Sequence, residues 1–150
     1  MFKMAYIIKI DDGIFLSNWQ GAANREFLED FGIQRIISLG NEEEQNFYVY
    51  HQDMEYLKII INDDEVSNIS QYFQKTNEFI TRSNVLIHCN KGISRSATIV
   101  ISYLMSLGYS FEESINKIKK KVKPNPSFKK QLFDFYEIWI YLNNNKYIFE

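Results

Sequence analysis

One stretch of twelve residues, from Val85 to Ser96, contains the side chains of this sequence that are best suited to chemistry. It holds the only cysteine, Cys89, and an arginine, Arg95, six positions later. A thiolate is a strong nucleophile, and a guanidinium can bind two oxygens of an oxyanion side by side. The pair therefore indicates an anion-binding site with a nucleophile beneath the bound anion.

The residues around this pair predict a strand, a short loop and a helix. Val85 to Ile87 are apolar and mostly β-branched, which is typical of a buried parallel strand. From Ser96 onward, apolar residues recur at helical spacings of three and four: Ile99, Val100, Tyr103, Leu104 and Leu107. Backbone N–H groups of such a loop, together with the helix dipole, bind anions and stabilise a thiolate.

Three further residues fit the same site. Gly92 allows a positive φ and a close approach of the loop backbone to the anion. Ser96 can donate a hydrogen bond to the thiolate and later to the departing sulfur. We expect His88 to brace the loop rather than act as a base, because an ionised thiol needs none. A lone cysteine is more often a small buried hydrophobe, but these neighbours together favour the functional interpretation.

Two other loop chemistries are excluded. Lys91 and Gly92 stand in the wrong order for a nucleotide-binding phosphate loop, whose first glycine is also missing. With one cysteine and two histidines, neither a redox pair nor a metal site is expected. We therefore expect no metal and no cofactor.

A cysteine that takes a phosphoryl group from an oxygen also needs a second side chain, which donates a proton to that leaving oxygen. The acidic run from Asn62 to Glu65 follows a predicted strand, Tyr56 to Ile61, and precedes a helix that opens near Asn68. If that strand neighbours the strand before Cys89, the acidic loop (Asn62 to Glu65) lies above the cysteine loop (Cys89 to Arg95). Acids before a helix more often serve capping and solubility, so Cys89 is what favours a catalytic role here.

Bulk properties limit the class of protein. The sequence has 150 residues, of which 45% are hydrophobic and 24% are charged. We therefore expect one globular domain over residues 1–150, monomeric by default. A net charge of −2 predicts no nucleic-acid partner, and no apolar stretch has the length of a membrane span. One unpaired cysteine fits a reducing compartment, so we expect the cytoplasm, with the nucleus also open. A basic stretch is expected to form a solvated helix face, with a docking surface for an acidic partner as the alternative; its lysines are Lys117, Lys119, Lys120, Lys121, Lys123, Lys129 and Lys130.

The remaining pattern predicts an α/β protein with a central, mostly parallel sheet flanked by helices. Two strands joined at Asp11-Asp12-Gly13 form a hairpin, Tyr6 to Ile10 and Ile14 to Leu16. Asn24 is predicted to cap a helix whose Phe27, Leu28 and Phe31 face the core. A strand from Ile33 to Leu39 and a helix along Ile69 to Ile80 follow. Three more helices are predicted after the cysteine loop: Ser96 to Leu107, Ser110 to Val122 and Ser127 to Leu142. Cys89 falls at the carboxyl end of a strand, where such folds bind ligands.

The run from His88 to Thr98 resembles the signature of the small dual-specificity group of cysteine-based protein phosphatases. The resemblance extends to Ser102-Tyr103-Leu104-Met105 in the following helix and to Pro124-Asn125-Pro126-Ser127-Phe128 with Gln131-Leu132 after it. Ile14 to Ser17 and Phe31 to Leu39 resemble the early strands of the family. Together these segments cover roughly Tyr6 to Tyr141.

The resemblance implies a protein tyrosine phosphatase-like fold and the hydrolysis of phosphotyrosine, phosphoserine and phosphothreonine in proteins. Cys89 would form a cysteinyl-phosphate intermediate, and Ser96 would help to release it. Counting back six residues from Ile69, as the family pattern requires, identifies Asp63 as the general acid. Residues that would bind the phosphoryl group are Arg95 and the loop amides of Asn90, Lys91, Gly92, Ile93, Ser94 and Arg95.

The sequence departs from the family pattern at Lys91, where alanine is usual. A lysine there points either into solvent or towards the pocket rim. A substrate other than protein therefore stays open: a phosphoinositide or an RNA 5′-phosphate handled by the same chemistry. A non-catalytic phospho-binding module is the remaining alternative. No substrate-recognition segment of the large tyrosine-specific enzymes is found, so we expect a shallow pocket.

Overall fold

The structure, a computed structural model, describes residues 4–81 and 83–145, with side chains up to Ile138. Its centre is a five-stranded sheet in the order β1-β2-β5-β3-β4. The strands are β1 (Ile7–Asp11), β2 (Ile14–Ser17), β3 (Arg35–Gly40), β4 (Glu55–Ile60) and β5 (Val85–His88). Only the β1–β2 hairpin is antiparallel, and every other pairing is parallel. The predicted α/β class with a mostly parallel sheet is confirmed.

Helices cover both faces of this sheet. They are α1 (Trp19–Ala23), α2 (Arg25–Asp30), α3 (Glu42–Phe47), α4 (Phe73–Phe79), α5 (Arg95–Ser106), α6 (Phe111–Lys117) and α7 (Pro126–Asn145), with a 3-10 turn at Ser70–Tyr72. None of the helices within the described ranges combines the length and the apolarity needed to cross a membrane.

Alternation along the strands divides the core into two parts. Ile14 and Leu16 of β2 join the larger cluster, which α4 to α7 complete. Phe15, between them, joins the smaller cluster with Ala22 of α1 and Leu28 of α2. Because β5 is buried on both faces, Val85 to His88 form the rigid base from which the cysteine loop leaves.

Several predicted elements need correction. The predicted helix from Ser110 to Val122 ends at Lys117, because Ile118 takes an extended backbone conformation. Lys119, Lys120, Lys121 and Lys123 therefore lie in the non-helical segment after α6 and do not share a helix face. Phe31, predicted to face inward, follows α2 and is 39% exposed. The short helices α1 and α3 were not predicted.

The assumed adjacency of two strands is also wrong. Strand β3 lies between β4 and β5, so the acidic loop does not begin beside the cysteine loop. The two loops nevertheless leave the same edge of the sheet, because β3, β4 and β5 are parallel. Side-chain hydrogen bonds from Ser94 and Arg95 then join the two loops.

Candidate active site

A cleft of about 440 Å³ opens at this edge of the sheet. Its lining comes from three segments: the loop after β4, the loop between β5 and α5, and the segment that leads into α7. The lining residues are Asp63, Cys89, Asn90, Lys91, Ile93, Ser94, Arg95, Lys123, Asn125 and Pro126. Most of the predicted site residues thus share one cleft, whereas His88, Gly92 and Ser96 are not among its lining residues.

Cys89 follows β5 directly and is 3% exposed. Its sulfur lies 3.1 Å from the hydroxyl of Ser96, and the amide of Gly92 donates to the same sulfur at 3.2 Å. Ser96 stands in the first turn of α5 and is fully buried, so its hydroxyl is held in place. Both contacts would stabilise negative charge on the sulfur.

The loop carbonyls after Cys89 are turned outward and anchored. The carbonyl of Asn90 accepts from the amide of Trp19 at 3.0 Å, and that of Lys91 accepts from the hydroxyl of Tyr6 at 2.6 Å. The carbonyl of Ile93 accepts from the amide of Lys123 at 2.9 Å. In a trans peptide the carbonyl and the next N–H point in opposite directions. Anchoring these carbonyls therefore turns the N–H groups of the next residues, Lys91, Gly92 and Ser94, towards the inside of the loop.

Gly92 is required at its position for two separate reasons. Its φ of +73° lies in the left-handed region, which side chains other than glycine adopt at a cost. A Cβ atom there would also stand 2.1 Å from the Tyr6 hydroxyl and 2.7 Å from the Ser17 carbonyl. The close contact between the loop and the N-terminal segment thus depends on the missing side chain.

Arg95 is the first residue of α5, and its guanidinium is held by a residue that sequence reasoning missed. Its Nη1 and Nη2 donate to the two carboxylate oxygens of Glu44 at 2.6 and 2.8 Å, and Nη1 also donates to the carbonyl of Ile61 at 3.0 Å. The hydrogen bonds from Arg95 lower the pKa of Glu44 to about 2, although burial opposes this shift. In the sequence, Glu44 is one of three adjacent glutamates. Its position three residues after Asn41 fits a capping box, but this pattern gives no sign of a contact with Arg95.

Asp63 and Asp64 occupy different surroundings. The Oδ1 atom of Asp63 accepts from the Ser94 hydroxyl at 2.7 Å and from the Asn125 side chain at 2.8 Å. Asp64 instead accepts from the amides of Val66 and Ser67, and the hydrogen bonds from Ser67 lower its pKa. Only Asp63 lines the cleft. The choice of Asp63 as the proton donor, which rested on a count of residues, stays a prediction.

His88 is buried at the end of β5, with its Nδ1 atom 3.2 Å from the carbonyl of Cys89. Desolvation by burial lowers the pKa of His88 to about 4, so the imidazole is neutral at neutral pH. The edge of the Tyr48 ring packs against it at a centroid distance of 4.8 Å. A neutral, enclosed ring of this kind suits the predicted bracing role.

Two lysines line the cleft, and Lys91, which is exposed, is one of them. Lys123 is the second, positioned by the hydrogen bond of its own amide to Ile93. Within the described ranges, no group of three or more His, Cys, Asp or Glu side chains could hold a metal ion.

The fold and this cleft define a class, the cysteine-based phosphatases. The family described as dual specificity phosphatase, catalytic domain, matches residues 14–138. The dual specificity protein phosphatase 22-A of Danio rerio is 34% identical over 148 residues, covering 88% of this chain and 69% of its own length. The protein phosphatase Slingshot of Drosophila melanogaster is 35% identical over 133 residues, covering 83% of this chain but only 12% of its own length.

Among solved structures, the human tyrosine phosphatase-like serine/threonine/tyrosine-interacting protein superposes with a TM-score of 0.82 at 32% identity. This match covers 89% of the present chain and 97% of the human one. The chain therefore belongs to the dual-specificity phosphatase catalytic-domain family. The predicted resemblance is confirmed.

The two aspartates permit a matched test of the proton donor. Asp63→Asn is expected to lower kcat by roughly two to three orders of magnitude, the usual scale for a lost general acid, and to flatten the basic limb of the pH–rate profile. Asp64→Asn keeps an oxygen that can accept from Val66 and Ser67, so turnover is expected to stay near wild type. Equal losses in the two variants would show that the proton donor is misassigned.

Gly92→Ala is expected to lower kcat/KM by on the order of a hundredfold, since the loop must shift away from Tyr6 and Ser17 and misplace its amides. Gly108→Ala is the control. Gly108 has a φ of +105°, but a Cβ there meets nothing within 4 Å. It should lose stability by about 1 kcal/mol and retain activity. Turnover and thermal melting are measured for both variants. A Gly92→Ala enzyme with wild-type activity would contradict the argument that the loop must approach Tyr6 and Ser17 this closely.

The lowered pKa of His88 predicts a pH dependence of stability. The unfolded chain takes up this proton near pH 6.5, whereas the folded chain resists it until about pH 4. Stability is therefore fully present above pH 6.5 and falls by about 3 kcal/mol on acidification to pH 4. Glu44 adds a loss only below about pH 4.5. Urea unfolding from pH 7.5 to 4.5 should show this slope in wild type and a shallower one in His88→Gln, and equal slopes would refute the assignment.

Proposed function

We propose that this chain hydrolyses phosphotyrosine and phosphoserine or phosphothreonine in protein substrates through a cysteinyl-phosphate intermediate. The observation that carries the proposal is the convergence of Cys89, Arg95 and Asp63 on one cleft in a chain of this family. The chain spans only 12% of the length of Slingshot, so the substrates of that whole protein are not carried over to it.

In the first step the Cys89 thiolate attacks phosphorus, and the bond from phosphorus to the substrate oxygen breaks. Asp63 gives its proton to that leaving oxygen. Both described hydrogen bonds to its carboxyl group end on Oδ1, which leaves Oδ2 to carry the transferable proton. Arg95 and the inward-facing amides stabilise the charge on the transferring phosphoryl group, which is where most of the rate enhancement of such reactions arises.

In the second step a water molecule attacks phosphorus and the sulfur–phosphorus bond breaks. Asp63, now ionised, takes the proton of that water. The Ser96 hydroxyl, 3.1 Å from the sulfur, stabilises the thiolate as it departs. The cycle ends with inorganic phosphate and the regenerated thiolate, so no cofactor is needed.

A second candidate substrate is a phosphoinositide, and a specific observation favours it: Lys91 and Lys123 both line the cleft and add positive charge to its rim. The same charge would suit a phosphopeptide with acidic neighbours. We rank the protein substrate first because the family is one of protein phosphatases. We further propose that residues 1–150 act as one monomeric catalytic domain in the cytoplasm.

A substrate panel tests the proposal. Turnover of para-nitrophenyl phosphate, a phosphotyrosine peptide, a phosphothreonine peptide, a phosphoinositide and an RNA 5′-phosphate is measured for wild type and for Cys89→Ser. We expect both phosphopeptides to be hydrolysed by wild type and none by Cys89→Ser, which should still bind inorganic phosphate because the anion cradle remains.

A higher kcat/KM for the phosphoinositide or the RNA 5′-phosphate than for the phosphopeptides would identify that molecule as the substrate class instead. Binding of phosphopeptides without turnover by wild type would identify a non-catalytic module instead. More than a trace of activity in Cys89→Ser would overturn the covalent mechanism.

A further inference from the structure

Three hydrogen bonds hold carbonyls of the cysteine loop outward, and one of them differs from the other two. Trp19 and Lys123 donate through their backbone amides, which every residue except proline has. Tyr6 donates through its side-chain hydroxyl, to the carbonyl of Lys91 at 2.6 Å. Of these three anchors, Tyr6 is therefore the one whose function depends on the type of its side chain.

The Tyr6 hydroxyl and the Cys89 sulfur bind opposite ends of one peptide unit. This unit joins Lys91 to Gly92: its carbonyl accepts from Tyr6, and its N–H donates to Sγ of Cys89 at 3.2 Å. Because the peptide is planar and trans, fixing the carbonyl also fixes the direction of the N–H. A hydrogen bond on the carbonyl also polarises the peptide, which strengthens its N–H as a donor.

We infer that Tyr6 is a positioning residue for the nucleophile: its hydroxyl orients and polarises the Lys91–Gly92 peptide, and this peptide stabilises the thiolate form of Cys89. The inference rests on the proposed function, in which that thiolate attacks phosphorus. Tyr6 is not among the residues that line the cleft, so it acts only through the peptide.

The surroundings of Tyr6 leave room for this contact on two sides. A Cβ atom at Gly92 would stand 2.1 Å from the Tyr6 hydroxyl, and a Cβ atom at Gly21 of α1 would stand 2.1 Å from the Tyr6 carbonyl. Two positions without a side chain thus allow Tyr6 to lie against the cysteine loop and against α1 at once. The ammonium group of Lys120 lies over the Tyr6 ring, 3.1 Å from its centroid.

The segment before β1 is fixed by Asn18, which is only 2% exposed. Its Oδ1 atom accepts from the amides of Tyr6 and Gly21 at 3.3 and 2.9 Å, and its Nδ2 atom donates to the carbonyl of Met4 at 3.0 Å. Burial raises the pKa of Tyr6 well above its ordinary value, and the charge of Cys89 adds to this shift. The phenol therefore stays protonated at neutral pH and keeps its donor.

A purely structural role for the hydroxyl predicts a different result. If it only secures the segment before β1, its loss lowers the stability and leaves Cys89 unchanged. If it acts through the peptide, its loss also lowers the fraction of Cys89 that is ionised at a given pH. Tyr6→Phe separates the two, because it keeps the ring and removes only the hydroxyl. It also keeps the other titratable groups around Cys89 and in the cleft: His88, Tyr48, Arg95, Asp63, Lys91 and Lys123.

Tyr136→Phe is the matched control. The Tyr136 hydroxyl is also buried, and its partners, Ser102 at 2.7 Å and Asn77 at 2.9 Å, belong to the middle of α5 and to α4. For wild type and both variants, the rate at which iodoacetamide alkylates Cys89 is measured against pH in phosphate-free buffer, together with thermal melting. The NMR shift of the Gly92 amide nitrogen reports on the hydrogen bond at the carbonyl before it. Glycine labelling simplifies this spectrum, because the sequence has only six glycines.

For Tyr6→Phe we expect the midpoint of the alkylation profile to move up by about one pH unit, the scale of a weakened hydrogen bond to a charged group. The Gly92 nitrogen resonance should move away from its wild-type position. With para-nitrophenyl phosphate, kcat/KM should fall about tenfold at pH values below the midpoint and less above it. Tyr136→Phe should melt at a lower temperature and keep the wild-type midpoint.

Three results would overturn the inference. One is an unchanged alkylation midpoint in Tyr6→Phe. Another is an equal shift of the midpoint in Tyr136→Phe, which would mean that any loss of stability loosens the loop. The third is a Gly92 resonance that does not respond to the loss of the Tyr6 hydroxyl. Alkylation needs no substrate, so a wild-type chain without turnover would refute the proposed function while the alkylation profiles would still test Tyr6.

Discussion

The outward anchoring of the loop carbonyls after Cys89 is the constraint on which the rest of the structure depends. Amide dipoles that converge on one point repel each other when no anion is bound, so the loop would relax unless its carbonyls were held elsewhere. Here Tyr6, Trp19 and Lys123 hold them. These residues come from the N-terminal segment, from α1 and from the segment before α7. Much of the chain is therefore needed to keep one short loop ready for its anion.

The sequence predicts this loop well because its determinants are local. A strand of apolar residues, a glycine and an apolar helix follow each other within one stretch, and the structure has β5, the loop and α5 in those places. The boundary error at the end of α6, in contrast, has its origin in a contact between distant segments. Nothing between Ser110 and Val122 breaks a helix as proline would, yet the chain leaves the helix after Lys117 and docks the backbone of Lys123 on Ile93. Tertiary contact overrides helix propensity there.

Contacts between distant segments could not be predicted. Glu44 and Arg95 are 51 residues apart, and Asn125 and Asp63 are 62 apart. Sequence spacing carries no signal for such pairs. The assumption that β4 neighbours β5 failed for the same reason, since strand order is set by packing of the whole sheet. The resemblance to a family supplied Asp63 where elementary patterns left three acidic residues equivalent.

The three carboxylates around the cleft show how surroundings divide one chemical group among different tasks. Asp64 accepts two backbone amides and serves the turn into the next element. Glu44 accepts hydrogen bonds from the Arg95 guanidinium and from the Asn41 amide of its helix cap, and both keep the carboxylate ionised. Asp63 and Asp64 each receive their described donors on Oδ1, but of the three carboxylates only that of Asp63 belongs to the cleft lining, so its Oδ2 is the free oxygen there. Proton transfer requires such a free oxygen, and neither of the other two carboxylates offers one there.

Arg95 then links the anion cradle to the loop that carries Asp63. Its Nη1 donates to the carbonyl of Ile61, two residues before Asp63, while Ser94, its neighbour in sequence, donates to the Asp63 side chain. Asn125 spans the same gap from the α7 side by donating to Asp63 and to the Asp64 carbonyl. The loop after β4 is thus fixed by bonds from the cysteine loop itself, although β3 separates their strands. Because the two loops share these bonds, Arg95, which we propose binds the phosphoryl oxygens, and Asp63, which we propose protonates the leaving oxygen, are held in a fixed position relative to each other.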